Sequence, residues 1–183
     1  MIKQYFYDKE IPQNLYDKLE NIFNKTKDCF ILEKGIITFF DSEEGRSLQN
    51  WEETKELQKF IKESMADYDK SSRPYTLVTM WANKYPNGSF IKKHKHVVYE
   101  NTVSAVFYLK APSNSGKLLI QSEELIEITP NEKNLVLFPS YLEHWTTPNE
   151  SQECRILIGA DICYDNLLHT KKEVPTGEPP KGY

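Results

Sequence analysis

Cysteine is scarce in this sequence. The 183 residues include three, Cys29, Cys154 and Cys163, and no CxxC pair. An odd, scattered set excludes a disulfide framework and points to a reducing compartment, so a cytoplasmic location is expected. Long apolar runs are absent too. No segment approaches the roughly 20 apolar residues that cross a bilayer. The opening Met1-Ile2-Lys3-Gln4-Tyr5 lacks the apolar stretch of a signal peptide. No membrane partner is expected. Positive charge is in deficit: the formal net charge is −4 and the pI about 5.7. That argues against nucleic acid as a partner. Lys92, Lys93 and Lys95, and later Lys171 and Lys172, read as solvated surface charge. Internal repeats and low-complexity segments are missing, and a single domain over 1–183 suits the length.

Aromatics, by contrast, are plentiful: 13% of the chain, with 11 Tyr and 9 Phe. Flat rings pack well on pleated surfaces, so a strand-rich fold is favoured. Residues 1–75 read as a helical N-terminal support. Pro12 suits the first position of a helix whose apolar face carries Leu15, Leu19, Ile22 and Phe23. A second helical pattern starts near Ser47 and runs through Trp51, Leu57, Phe60, Ile61 and Met65. Between them, Ile36-Ile37-Thr38-Phe39-Phe40 favours a strand.

From Thr76 the character changes to short apolar runs between breakers. Strands are expected near 76–84, 102–110, 117–121, 125–129, 134–138 and 154–163. Pro86-Asn87-Gly88, Pro112-Ser113-Asn114-Ser115-Gly116 and Pro130-Asn131 separate them. Many short strands suggest a sandwich or barrel core over 76–163. No long helix interrupts them, which disfavours a parallel βαβ sheet. Val106, Leu118, Leu135 and Leu137 are core candidates. The polar stretch 164–183 reads as a C-terminal tail.

Histidine is rare, with four in the chain, yet three stand in informative places. His94 and His96 form an HxH pair, and on an extended strand residues i and i+2 point the same way. His144 follows Phe138-Pro139-Ser140-Tyr141-Leu142-Glu143. Antiparallel pairing would bring it alongside and complete three ligands on one face, leaving the other open, as a non-haem iron site requires. His169, in the polar tail, reads as a surface residue. Arg155 opens the apolar strand Arg155-Ile156-Leu157-Ile158-Gly159. A buried Arg needs a partner, and its planar fork matches a carboxylate.

In these motifs the sequence resembles the 2-oxoglutarate- and Fe(II)-dependent oxygenases, in particular the prolyl-4-hydroxylase-like branch with its small bacterial and phage members. The resemblance covers roughly residues 76–163. Tyr85-Pro86-Asn87-Gly88 with His94 is similar to the approach to the metal strand. Thr102 to Leu109 is similar to the next core strand, with its Tyr-Leu end. Ser115-Gly116-Lys117-Leu118 is similar to the following turn. Leu135-Val136-Leu137-Phe138-Pro139-Ser140 with His144 is similar to the strand and turn carrying the distal ligand.

The resemblance implies a double-stranded β-helix, that is, a cupin-like jelly roll, mainly β with N-terminal helices. It implies Fe(II) held by His94, His96 and His144, and 2-oxoglutarate as cosubstrate. Arg155 and Tyr108 would bind the far carboxylate, and Asn83 would touch cosubstrate or substrate. Trp81, Ser104 and Trp145 would line the pocket. The reaction would be a hydroxylation or related oxidation, with molecular oxygen and an unidentified substrate as partners. Two positions depart from the pattern. His96 stands where Asp or Glu is usual, and Leu157 stands at the Ser of the Arg-x-Ser pattern.

Other readings remain. Gly88, His94-Lys95-His96 and Glu100 also fit a first cupin motif, which would make Glu100 a fourth ligand. The protein would then be a 3-His dioxygenase, an isomerase or a binding module that does not use 2-oxoglutarate. A degenerate jelly roll that binds a partner is a third reading. The N-terminal helices either pack on the outer sheet or build a homodimer.

Overall fold

The computed structural model describes residues 1–26, 32–40, 42–96 and 102–164. Strand β1 (Lys3–Phe6) opens the chain, before helix α1 (Gln13–Phe23), the short strands β2 (Leu32–Glu33) and β3 (Ile36–Ile37), and helix α2 (Lys55–Tyr68). Eight strands follow: β4 (Tyr75–Tyr85), β5 (Phe90–Ile91), β6 (Thr102–Lys110), β7 (Leu118–Gln121), β8 (Leu125–Ile128), β9 (Asn134–Pro139), β10 (His144–Thr146) and β11 (Arg155–Tyr164).

They form two main sheets. The larger has the order β1-β9-β6-β11-β4-β3, and the smaller β10-β7-β8. All pairings within them are antiparallel. β11 is central and buried along its whole length. Its even-numbered Ile156, Ile158, Ala160 and Ile162 pack with Leu15, Leu19, Ile22, Phe23, Leu57, Ile61 and Met65 of the two helices. Strand alternation therefore turns its odd-numbered residues to the other side. There Leu157 joins Trp81, Tyr85, Tyr108, Val136 and Phe138 of the large sheet and Leu118, Ile120 and Ile128 of the small one. This second apolar cluster fills the space between the sheets, so side chains from both converge on one interior.

Each strand expected from Thr76 onward is present, with ends shifted by at most a residue or two. The N-terminal third differs more. β1 lies in the large sheet beside β9 rather than in a helical support. Its four residues show the alternating burial of an edge strand. Pro12 precedes α1 with extended ψ of 136° instead of occupying its first turn. Ser47 to Thr54 forms short 3-10 turns, because Trp51 adopts extended angles that interrupt an α-helix. Only Ile36–Ile37 is strand; Thr38–Phe40 turns as a 3-10 segment. The Thr38 hydroxyl there donates to Gly45 O and accepts the Ala82 amide, which pins the turn to β4. Cys154 is a half-buried free thiol, and Cys163 is buried in β11. Cys29, His169, Lys171, Lys172 and the tail from 165 lie outside the described residues. No described helix is long and apolar enough to cross a membrane.

Candidate active site

Two backbone hydrogen bonds join the histidine-bearing segments. His94 N donates to His144 O at 3.0 Å, and His144 N donates to His94 O at 2.8 Å. This is an antiparallel bridge between the HxH segment and the start of β10. His96 N donates to Ser140 O at 3.0 Å, which ties the second histidine to the turn after β9. The three rings come together, with centroid separations of 4.3 Å (His94–His144), 5.1 Å (His96–His144) and 5.4 Å (His94–His96). One ligand nitrogen from each lies within 4.8 Å of the others.

Each imidazole is fixed through its other nitrogen. His94 Nδ1 lies 2.8 Å from Lys92 O, and His144 Nδ1 lies 2.9 Å from Leu142 O. His96 Nδ1 lies 2.8 Å from Asp161 Oδ1. Carbonyl and carboxylate oxygens accept, so Nδ1 carries the proton in all three rings. Nε2 of each then offers its lone pair to the shared space. Burial keeps His94 neutral, lowering its pKa to about 4, with His96 acting in the same direction. His144 is held well below the usual histidine value, by burial first and then by His94 and His96. Neutral imidazole is the ligand form. Burial opposes protonation of His96 as well, but the charge and hydrogen bond of Asp161 outweigh it and raise its pKa.

Around this centre Phe138 meets the His144 ring at 4.9 Å, and Trp81 meets the His96 ring at 5.6 Å. Ser104 Oγ lies 3.2 Å from both His96 Nδ1 and Asp161 Oδ1. Trp81 and Ser104 thus stand beside the histidines. Trp145 does not. On β10 it points opposite to His144 and Thr146, pairs with the outward Leu119, and has Lys93 Nζ 4.8 Å above its ring. Period-2 alternation sends it to the outer face. Glu100 falls outside the described residues.

Further along the same interior lies Arg155, fully buried at the start of β11. Nη1 donates to Ser115 O, and the guanidinium carbon sits 4.2 Å from the centre of the Tyr85 ring. Nε and Nη2 have no partner. Among the described residues no carboxylate meets this cation. An unmatched buried charge costs several kcal/mol, roughly, unless an anion joins it. Gly116 makes the room. Its φ is +85°, and a Cβ there would lie 3.1 Å from Arg155 Nη1 and closer still to Thr147 O. Tyr108 is buried beside this cation. Burial raises its pKa, with Arg155 pulling the other way. Asn83 Nδ2 donates to the Tyr85 hydroxyl at 3.1 Å, while its Oδ1 has no partner. Ser115 Oγ is also buried and unpartnered.

The pairing register explains the layout. Along β11, Arg155 faces Tyr85, Leu157 faces Asn83 and Tyr108, Gly159 faces Trp81, and Asp161 faces Ser104. One strand face therefore runs from a cationic end to the histidine end. Sequence reasoning missed Asp161, Tyr85 and Ser140. A lone acid inside Ile158-Gly159-Ala160-Asp161-Ile162 was the available signal, because an acid in an apolar strand needs a partner.

The sequence matches no protein-family model and no curated protein. Solved structures do match. A prolyl hydroxylase from Trichoplax adhaerens, in complex with a hypoxia inducible factor oxygen degradation domain peptide fragment, superposes with a TM-score of 0.68 at 15% identity. The match covers 94% of this chain and 87% of that one. HygX from Streptomyces hygroscopicus, with nickel, 2-oxoglutarate and hygromycin B bound, gives 0.66 at 11% identity, covering 90% and 83%. The viral collagen prolyl hydroxylase vCPH from Paramecium bursaria Chlorella virus-1, a 2OG complex, gives 0.64 at 15%, covering 88% and 94%. The chain has the double-stranded β-helix fold of the 2-oxoglutarate- and Fe(II)-dependent oxygenases.

Proposed function

We propose that this protein is an Fe(II)- and 2-oxoglutarate-dependent oxygenase of the hydroxylase type. The observation that carries the reading is the pairing, on one interior face, of three converging histidine nitrogens with a buried guanidinium that has two unpartnered nitrogens. A dicarboxylate that binds metal at one end needs a cation at the other, and Arg155 is that cation. The residues fit the pair. His94, His96 and His144 would hold the iron as neutral ligands. Arg155 would bind the far carboxylate by charge-assisted hydrogen bonds, with the Tyr108 hydroxyl and the Asn83 amide beside it.

Iron and 2-oxoglutarate supply the oxidising chemistry: molecular oxygen is consumed, 2-oxoglutarate loses carbon dioxide to give succinate, and a substrate carbon is oxidised. The chain supplies placement. The Nδ1 hydrogen bonds aim each imidazole, and Phe138 and Trp81 keep the histidine end dry. The substrate is unidentified. Two of the matched proteins are described as prolyl hydroxylases and the third binds hygromycin B, so one fold serves dissimilar molecules. The small, odd number of scattered cysteines supports a reducing, cytoplasmic setting.

A metal-binding cupin would share the three histidines but has no use for an unmatched Arg155, which favours the oxygenase. Calorimetric titration of 2-oxoglutarate into Mn(II)-loaded protein tests the choice. Saturable binding that Arg155→Met removes, with metal affinity kept, is expected. Metal binding with no 2-oxoglutarate heat would favour the cupin.

A further inference from the structure

Asp161 has no part in the ligand set or the anion pocket, yet it touches the centre. It lies on β11 with its carboxylate buried. Its pairing with β4 shifts register immediately after it: Asp161 faces Thr79 and Ile162 faces Leu77. Such irregularities re-aim side chains. Oδ1 sits 2.8 Å from His96 Nδ1 and 3.2 Å from Ser104 Oγ, and Ser104 Oγ lies 2.9 Å from Ser140 Oγ. Ser140 also supplies the carbonyl that holds the His96 amide. Among the described residues no Lys or Arg pairs with Asp161; its ion-pair partner is His96.

The three ligands are thus not equivalent. His94 and His144 lean on neutral carbonyls from two residues upstream, and only His96 leans on a carboxylate. His96 is also the residue that stands where a carboxylate ligand is usual in the sequences this chain resembles. A carboxylate behind an imidazole fixes its tautomer and raises the basicity of the ligand nitrogen. We propose that Asp161 is a positioning residue that delivers, through His96, the negative charge the three-histidine set lacks, and that divalent metal binding depends on it. The inference rests on the reading of the histidines as a metal centre.

The test titrates wild-type, Asp161→Asn and Asp161→Ala proteins anaerobically with Fe(II), and with Co(II) for its visible spectrum. Asn keeps an acceptor for His96 Nδ1–H and removes the charge; Ala removes both. Expected is a loss of about ten- to a hundredfold in affinity for Asn and a larger one for Ala, with unchanged unfolding of the metal-free proteins. Ala should also alter the Co(II) bands, because the His96 ring is released. Wild-type affinity in both variants overturns the inference alone. So does metal retained in His96→Ala but lost in Asp161→Ala, which would make Asp161 itself the ligand. A wild type that binds neither ion overturns the metal centre with it. Should the variants not fold, long-range ¹H–¹⁵N correlations of wild-type, metal-free protein at mildly alkaline pH decide. A His96 ring protonated on Nδ1 is expected, and one protonated on Nε2 alone contradicts the proposal.

Discussion

The indole of Trp81 lies across the backbone of Gly159. A Cβ at 159 would stand 2.6 Å from the indole Cε2 and 2.7 Å from Cζ2. The two residues face each other in register on β4 and β11, between Arg155 and Asp161. Gly159→Ala must therefore push the ring off the strand. A destabilisation of about 1–3 kcal/mol is expected, the usual range for overpacking. Altered tryptophan near-UV circular dichroism should accompany it, since Trp81 also contacts His96 and Phe39. Unchanged spectra and stability would mean that the ring is not held there.

Arg155 gives a prediction of unusual sign. It is fully buried with two unmatched nitrogens, so Arg155→Met should leave the metal-free protein as stable as wild type or more so. Saturating 2-oxoglutarate with Mn(II) should then raise the wild-type Tm and not the variant's. At a hundred times Kd, such linkage amounts to about 2.7 kcal/mol. A metal-free variant that unfolds much earlier than wild type would assign Arg155 a structural role.

Metal removal should loosen the centre without unfolding the protein. The histidines are held by backbone bonds and Nδ1 partners, and apolar clusters pack both faces of the large sheet. Chelation is expected to lower Tm while unfolding stays cooperative, as thermal circular dichroism would show. A metal-free protein lacking a cooperative transition would contradict this.

At the far end of β11, the Tyr164 hydroxyl donates to Asp69, just past α2. That bond first, and then Ser71 and Arg73, hold the Asp69 pKa at about 2 against burial. A depressed carboxyl stabilises the fold above its unfolded pKa, near 4, and loses that effect as pH falls through about 2. Asp69→Asn should lower Tm at neutral pH, and the gap should narrow as pH approaches 2. A gap of constant size across that range would deny Asp69 its charge-dependent role.

How far the sequence alone could go depended on what each segment packs against. Strands β4, β6, β7, β8, β9 and β11 were legible because apolar runs end at Pro and Gly breakers, which mark strands regardless of partners; β5 and β10 were missed because two or three residues are too short to show a pattern. The histidines were legible because an HxH pair puts two imidazoles on one side of an extended segment, and Arg155 because a charge in an apolar strand needs a reason to be there. β1 was hidden because Lys3-Gln4-Tyr5-Phe6 is amphipathic and becomes a strand only through its pairing with β9. The turns around Trp51 were hidden because 3-10 and α segments share apolar spacing over so short a stretch. Asp161 carried a local signal as an acid in an apolar strand, but its role was hidden: its partner His96 lies 65 positions away in the chain, and no local pattern couples them.

The central claim is that one interior holds both an iron site and a cation for the far end of 2-oxoglutarate. The most direct test is the visible spectrum of anaerobic protein loaded with Fe(II) and then 2-oxoglutarate. The account predicts a charge-transfer band that appears with wild type and is absent from both His144→Ala and Arg155→Met. Tight Fe(II) binding without a band, or a band undiminished in Arg155→Met, would contradict it.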